Sequence, residues 1–289
     1  MARDQRKRII NAQNFLARPA LVRQIIERAA LDPDDFVLEI GPGRGMLTRE
    51  LAAACQQVLA IEKDPTLAQK LALEARELGN VILFAGDFLE LPLPLTPYKV
   101  VANIPFNITA GIIAKLIDSP NPPEDATLVL QREAADRFLG QPRQTLIALL
   151  IQPWFGLSIT YRFRRADFVP PPEVDVVLLR FSKRGPPLIA AEEEQRYRDF
   201  VTYGFTAWKP TIGVAYGTVL SRKRLNWIAE QSGVGLSLKP SEASFEQWLR
   251  LYRTFTQLAS AEEQRAIAGA EERLRAQQAR LAKPLRRQR

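Results

Sequence analysis

Val37-Leu38-Glu39-Ile40-Gly41-Pro42-Gly43-Arg44-Gly45 decides how the chain is read. An apolar run of strand length ends in Glu39 and Ile40, passes into glycines at alternate positions, and is followed over 47–55 by helical patterning. Glycine removes side chains where the backbone must turn sharply and lets a ligand approach the main chain. A strand, a glycine loop and a helix in that order imply a nucleotide-derived ligand. The spacing is G-x-G-x-G, unlike the G-x-G-x-x-G of dinucleotide sites, and no lysine followed by serine or threonine completes a P-loop.

Outward from this stretch, short apolar runs alternate with longer helical patterns, the signature of a mostly parallel sheet with crossover helices. The patterning predicts strands at 37–40, 58–62, 81–85, 99–102, 127–131, 157–163 and 174–181, and helices at 47–55, 65–78, 109–117 and 133–139. Residues 164–173 are rich in proline and too few for a helical crossover, so the last two strands should pair antiparallel. Residues 183–187 read as a linker. Beyond it helices are expected at 191–206, 218–230 and 241–257, the last capped by Ser241. From Ser260 the chain is alanine, glutamate, glutamine and arginine, a basic tail, helical or disordered, with little to pack. The expected domains are therefore 1–182, 183–259 and the tail 260–289.

Bulk properties narrow the function. With 289 residues, 46% hydrophobic and 25% charged, the chain can bury two cores without crosslinks. No apolar run reaches the ~20 residues of a membrane-spanning helix, and the first residues lack the apolar stretch of a secretory signal. A cytoplasmic protein with no membrane association is expected. There is no histidine and one cysteine, Cys55, which reads as a small buried hydrophobe. That removes imidazole triads, the commonest metal ligand and any internal disulfide, so no metal site is expected. The net charge of +8 favours a polyanionic partner, nucleic acid before others.

Three further strand ends carry chemistry. Strand 58–62 delivers Glu62, whose carboxylate can accept both hydroxyls of a ribose. Strand 81–85 is followed by Gly86 and Asp87, an acceptor for an adenine amino group. With the glycine loop, the two acids outline an adenosine-shaped ligand. Strand 99–102 runs into Asn103-Ile104-Pro105-Phe106. Taken alone, these four residues also fit a strand end with turn chemistry. In this company, a strand-end amide, a stiffened turn and an aromatic face suit the exocyclic amine of an adenine held out of its stack.

On these residues the chain resembles the S-adenosylmethionine-dependent rRNA adenine N6-methyltransferases, which include small-subunit dimethyladenosine enzymes and the erythromycin-resistance (Erm) enzymes of the large subunit. The resemblance extends to about Leu258. Gln13-Asn14-Phe15-Leu16 resembles the amino-terminal cofactor motif, 129–138 (VLQREAADRF) a later segment, and 168–180 (FVPPPEVDVVLLR) the proline-rich segment and last strand. It implies a Rossmann-like α/β methyltransferase sheet, mostly parallel with the last strand antiparallel, followed by a small all-helical RNA-binding domain. It further implies that Asn14, Leu16, Gly41, Gly43, Glu62, Asp87 and Asn103 line S-adenosyl-L-methionine. Asn103, Ile104 and Phe106 would receive the base: the Asn103 oxygen and Ile104 carbonyl accept from the amine while Phe106 stacks. No basic side chain is required, in keeping with a chain that lacks histidine.

Residues 207–220 and 244–252 resemble the Erm carboxy-terminal domain, and the paired-arginine, lysine, threonine segment usual in small-subunit enzymes is absent. Residues 103–109 also have the Erm form, with Phe106 in place of the commoner tyrosine. The resemblance thus implies a monomer that methylates one adenine of 23S rRNA and confers resistance to macrolides, lincosamides and streptogramin B. The alternatives are a 16S rRNA adenine dimethyltransferase and a non-catalytic nucleic-acid-binding factor on the same fold. Arg6, Lys7, Arg8, Lys183, Arg184, Arg222, Lys223 and Arg224 are candidate RNA phosphate contacts.

Overall fold

Apolar runs separated by capped amphipathic helices produce the sheet that the sequence pattern predicts. The computed structural model describes residues 15–206 and 210–286, the side chains of 281–286 excepted. The chain divides into two compact units, Met1–Asp136 with Phe155–Arg184, and Arg137–Trp154 with Gly185–Arg289. Residues 137–154, which the sequence pattern leaves within the first domain, group with the second unit.

In the first unit, β1 (Phe15–Leu16) and α1 (Pro19–Arg28) precede β2 (Phe36–Ile40), α2 (Met46–Ala54), β3 (Gln57–Glu62), α3 (Pro65–Leu78) and β4 (Val81–Ala85). There follow β5 (Lys99–Asn103), α4 (Thr109–Ile117), β6 (Asp125–Gln131), β7 (Phe155–Arg162), β8 (Phe168–Val169) and β9 (Val176–Lys183). Seven strands form one sheet in the order β4-β3-β2-β5-β6-β9-β7. Only β9 runs against the others, antiparallel to both β6 and β7. The order reverses at β2, whose neighbours are β3 on one side and β5 on the other. In an open sheet of this kind the crevice for a ligand opens at that reversal, beyond the carboxyl ends of the strands. The glycine loop after β2 and Asn103 at the end of β5 therefore meet at the same opening.

Local chemistry sets the element ends. The Asp64 carboxylate caps α3 through the Thr66 and Leu67 N–H groups, Pro65 opens the helix, and Gly79 at φ 77° closes it. The apolar faces of β2, β3, β5 and β9 pack with α1 and α2 through Leu21, Val22, Ile25, Val37, Leu51, Val58, Val101 and Leu178. Cys55 is buried in that cluster, as expected of a small hydrophobe.

The second unit is helical. Its elements include α6 (Leu146–Ile151), α7 (Glu194–Thr206), α8 (Ile212–Tyr216), α9 (Arg222–Ser232), α10 (Phe245–Leu258), α11 (Ala261–Ile267) and α12 (Ala270–Arg286), and α5 (Arg132–Leu139) leads into it. Its core is aromatic: Trp248, Tyr197 and Phe200 are at most 1% exposed, and Phe200 stacks on Tyr216 at 4.8 Å. The polar tips are satisfied, with Tyr216 donating to the Phe200 carbonyl at 2.7 Å, Tyr197 to that of Leu149 at 2.9 Å and Trp248 to that of Pro240 at 3.0 Å. Ser244, not Ser241, caps α10, because Ser244 and Gln247 each bond the other's backbone N–H in a capping box.

The segment after Ser260 packs more than its composition suggests. Ile267, Ala270 and Glu271 are buried, and Arg198 of α7 holds Glu271 through Nε at 2.9 Å and Nη2 at 2.7 Å. Asp199 accepts the backbone N–H groups of Gly269 and Glu271, tying the start of α12 to α7. No helix among the described residues is long and apolar enough to cross a membrane.

Candidate active site

The loop after β2 is built for close approach. Gly41, Gly43 and Gly45 have φ of 70°, 60° and 73°, the left-handed region that glycine enters without a steric cost. A Cβ on Gly43 would stand 2.9 Å from Cε1 of Phe15, so the ring and the glycine backbone form a cradle that any side chain would fill. A backbone bond fastens this loop to the next strand end, the Gly41 N–H donating to the Ile61 carbonyl at 2.9 Å, and a second joins the ends of β4 and β3, the Gly86 N–H donating to the Glu62 carbonyl at 2.8 Å.

A cavity of about 490 Å³ lies over these strand ends. Leu16, Gly41, Gly43, Glu62, Asp87, Asn103, Ile104 and Phe106, all named from the sequence, border it together. Asn14 lies outside the described residues, as do Arg6, Lys7 and Arg8. The Glu62 carboxylate is 3% exposed and accepts the Gly43 N–H at 2.9 Å and the Asp64 N–H at 2.8 Å. Burial raises its pKa, opposed by the Asp64 and Gly43 N–H groups. A carboxylate offers about four lone-pair sites, so two remain for hydroxyl donors from a ligand.

Asp87 behaves in the opposite sense. Lys63 donates to its Oδ2 at 2.5 Å and the Leu89 N–H to its Oδ1 at 3.0 Å. The Lys63 hydrogen bond, helped by the Leu89 N–H and the charges of Lys63 and Lys115, holds its pKa below the ordinary aspartate value despite partial burial. Asp87 is thus an ionised acceptor beside the cavity. Asn103 is half-buried at the end of β5, Ile104 is buried with its N–H on the Val129 carbonyl at 3.3 Å, and the half-buried Phe106 opens the next turn.

Several cavity residues received no role of their own in the sequence reading, although most lie in stretches it singled out. Phe15 and Val169 border it, as do Arg44, whose guanidinium lies 4.6 Å over the Phe15 ring, and Lys63. Glu39 is the most unusual: it is 1% exposed and its Oε2 has no hydrogen-bond partner. Burial pushes its carboxyl up to about 8; the Thr48 hydroxyl, nearby but outside hydrogen-bond geometry, opposes this, and the Glu62 charge adds to it. A glutamate inside an apolar strand was the only signal that could have marked it.

The candidate RNA contacts among the described residues fall in both units. Lys183 pairs with Glu124 at 2.7 Å. In the second unit Arg222 and Lys223 are exposed at the start of α9, whereas Arg224 donates to the Leu258 carbonyl at 2.7 Å and lies 3.8 Å from Glu263. Arg184 ends the first unit immediately after β9.

Comparison with known proteins bears on this geometry. Residues 4–257 match the family model described as ribosomal RNA adenine dimethylase. The chain is 34% identical over 256 residues to an rRNA adenine N-6-methyltransferase of Saccharopolyspora erythraea, covering 88% of this chain and 67% of that protein. It is 32% identical over 263 residues to ribosomal RNA small subunit methyltransferase A of Nostoc sp., covering 85% and 97%. The crystal structure of the 23S rRNA methyltransferase ErmE superposes with a TM-score of 0.78 at 33% identity, covering 84% of this chain and 100% of that one. With the strand-end acids, the glycine cradle and the Asn103 turn around one cavity, these matches establish that the chain belongs to the ribosomal RNA adenine dimethylase family and is an S-adenosylmethionine-dependent rRNA adenine N6-methyltransferase.

Proposed function

We propose that this enzyme methylates N6 of one adenine in 23S rRNA and thereby protects the ribosome from macrolides, lincosamides and streptogramin B. The observation that carries the reading is the placement of Asn103-Ile104-Pro105-Phe106 beside the Gly41–Gly43 cradle on one cavity. The large-subunit assignment is supported by the Erm-like form of residues 103–109 and by the likeness to ErmE over its whole length.

The residues present fit S-adenosylmethionine. The cavity lies within the ~300–1,000 Å³ usual for small-molecule sites. The Gly43 cradle admits a ligand against the main chain, Glu62 keeps acceptor capacity for a ribose diol, and ionised Asp87 suits an adenine amine. When bound, the cofactor supplies an electrophilic methyl group on a sulfonium. The chain's own work is then to position the amine. The Asn103 side-chain oxygen and the Ile104 carbonyl accept hydrogen bonds from its two N–H groups, which draws the nitrogen toward tetrahedral geometry and localises the lone pair; the proton that the methylated nitrogen sheds passes to solvent. Phe106 stacks on the extruded ring and holds it in line. Positioning and fixed dipoles provide the acceleration, and no imidazole base is needed.

The 32% identity to the Nostoc small subunit methyltransferase A keeps one second reading, a 16S rRNA adenine dimethyltransferase. Methyl incorporation by the purified enzyme into protein-free 23S rRNA, 16S rRNA and assembled subunits, with mass mapping of the product, separates the two. Modification of 23S rRNA alone is the expected result. Labelling confined to 16S rRNA refutes the proposal in favour of the second reading.

A further inference from the structure

One wall of the cavity is made by chain segments that are remote in sequence and weakly joined by their backbones. β1 pairs antiparallel with β8, setting Phe15 opposite Val169 and Leu16 opposite Phe168. Phe15, Leu16 and Ala17 from one segment and Val169 from the other border the cavity, and Phe15 is the ring that closes over Gly43. A ribbon of two residues per strand is far below the size at which paired strands are stable by themselves.

Leu16 and Phe168 also share a buried apolar cluster, and beside that contact the tie is polar. The Asp167 side chain is 0% exposed and accepts from the Arg18 guanidinium and, at 2.8 Å, from the Arg164 N–H. Its backbone carbonyl takes the Ala17 N–H at 2.9 Å. Arg18 itself is 54% exposed, so the buried partner is the one with most to lose from separation. A buried carboxylate is costly unless its charge is matched. Without Arg18, opening the ribbon would rehydrate Asp167, and the docked state would lose part of its advantage while keeping the Leu16–Phe168 contact.

We propose that Arg18 and Asp167 are positioning residues, a clasp that holds Phe15–Ala17 against the glycine loop and so sets the affinity of the cavity for its cofactor. The inference rests on the reading of that cavity as the S-adenosylmethionine site. Because apparent affinity scales with the fraction of binding-competent protein, loosening the clasp weakens binding while leaving the saturated enzyme able to dock the wall.

The test is calorimetric titration of the intact protein with S-adenosylhomocysteine, without RNA. Arg18→Gln should weaken binding roughly five- to tenfold, and Arg18→Lys should recover most of it. Arg164→Gln, whose guanidinium stands 3.8 Å from Asp167 and is 74% exposed, should change binding less than about twofold. Hydrogen exchange at the Ala17 amide should accelerate in Arg18→Gln and be suppressed by saturating ligand, a response that general destabilisation would not confine to this ribbon. Turnover at saturating cofactor should fall by less than the affinity does. Wild type that binds while Arg18→Gln binds equally well, or Ala17 exchange that does not change, overturns the clasp alone. Wild type that fails to bind the ligand overturns the cavity reading and the clasp with it.

Discussion

Glu39→Gln should alter stability in a way that depends on pH. In the folded protein burial keeps the Glu39 proton up to about 8, whereas an ordinary glutamate releases it near 4.5. Between those values the native state binds more protons than the unfolded chain, so the stability of the wild type falls as pH rises. The penalty is absent below about pH 4.5 and complete above about pH 8. At 1.36 kcal/mol per pH unit, it reaches about 3 kcal/mol by pH 7 and approaches about 5 kcal/mol at pH 8, as upper bounds. Glutamine does not titrate, so the difference in unfolding free energy should move in the variant's favour by these amounts. All four tryptophans belong by sequence to the second unit, so the comparison needs a probe on β2 itself. Native-state hydrogen exchange at the amides of β2, corrected for intrinsic rates at about pH 5, 6 and 7, gives the comparison. Parallel profiles for the two proteins would mean that Glu39 is ionised in the fold, and the argument from its unpartnered oxygen would fail.

Three other outcomes are expected. Gly43→Ala forces a methyl group toward Phe15 at a left-handed backbone position, which costs about 1–2 kcal/mol before any ligand clash, and S-adenosylhomocysteine affinity should drop more than about tenfold; unchanged calorimetry would show that the cradle is not used. Glu62, raised by burial, should lose its charge at a higher pH than an ordinary glutamate, while Asp87, held down chiefly by Lys63, stays ionised. Affinity should therefore weaken on acidification in the wild type and in Asp87→Asn, and become flat in Glu62→Gln; a slope that persists in Glu62→Gln assigns the titration elsewhere. In the second unit burial raises the Glu271 pKa, but the hydrogen bonds and charge of Arg198, joined by Arg275, outweigh it and hold the group at about 2. Its contribution of about 3 kcal/mol is present above pH 4.5 and lost as pH falls toward 2. Glu271→Gln should lower the denaturation midpoint read by tryptophan fluorescence at pH 7 and converge with wild type in acid; a gap that does not narrow would exclude the ion pair as its cause.

What could be read in advance follows from where each signal resides. Asp64, Pro65 and Gly79 are local punctuation, which is why α3 was predicted over its observed span, whereas Ser241 and Ser244 both look like caps until the Gln247 reciprocal bond chooses between them. β1 and β8 are too short to have any period, so the wall they form was invisible although residues 13–16 and 168–180 were both singled out. Glu62, Asp87 and Asn103 were recognisable because a polar residue at the end of an apolar run stands out, and parallel strands deliver successive ends to the same edge of the sheet. Glu39 lies one residue inside such a run, where a side chain facing the sheet and one facing the ligand look alike. The ion pairs fared worst for a physical reason: Arg18 with Asp167 and Arg198 with Glu271 join positions 149 and 73 residues apart, and nothing in either local sequence distinguishes a paired charge from a solvated one. The tail shows the consequence. Its composition gives Glu271 no hydrophobic setting, yet it is buried where the Arg198 guanidinium holds its carboxylate and the Asp199 carboxylate takes its backbone N–H. Strand-end chemistry is thus a property of local sequence, and the ties that orient it arise only when the sheet and helices bring distant charges together.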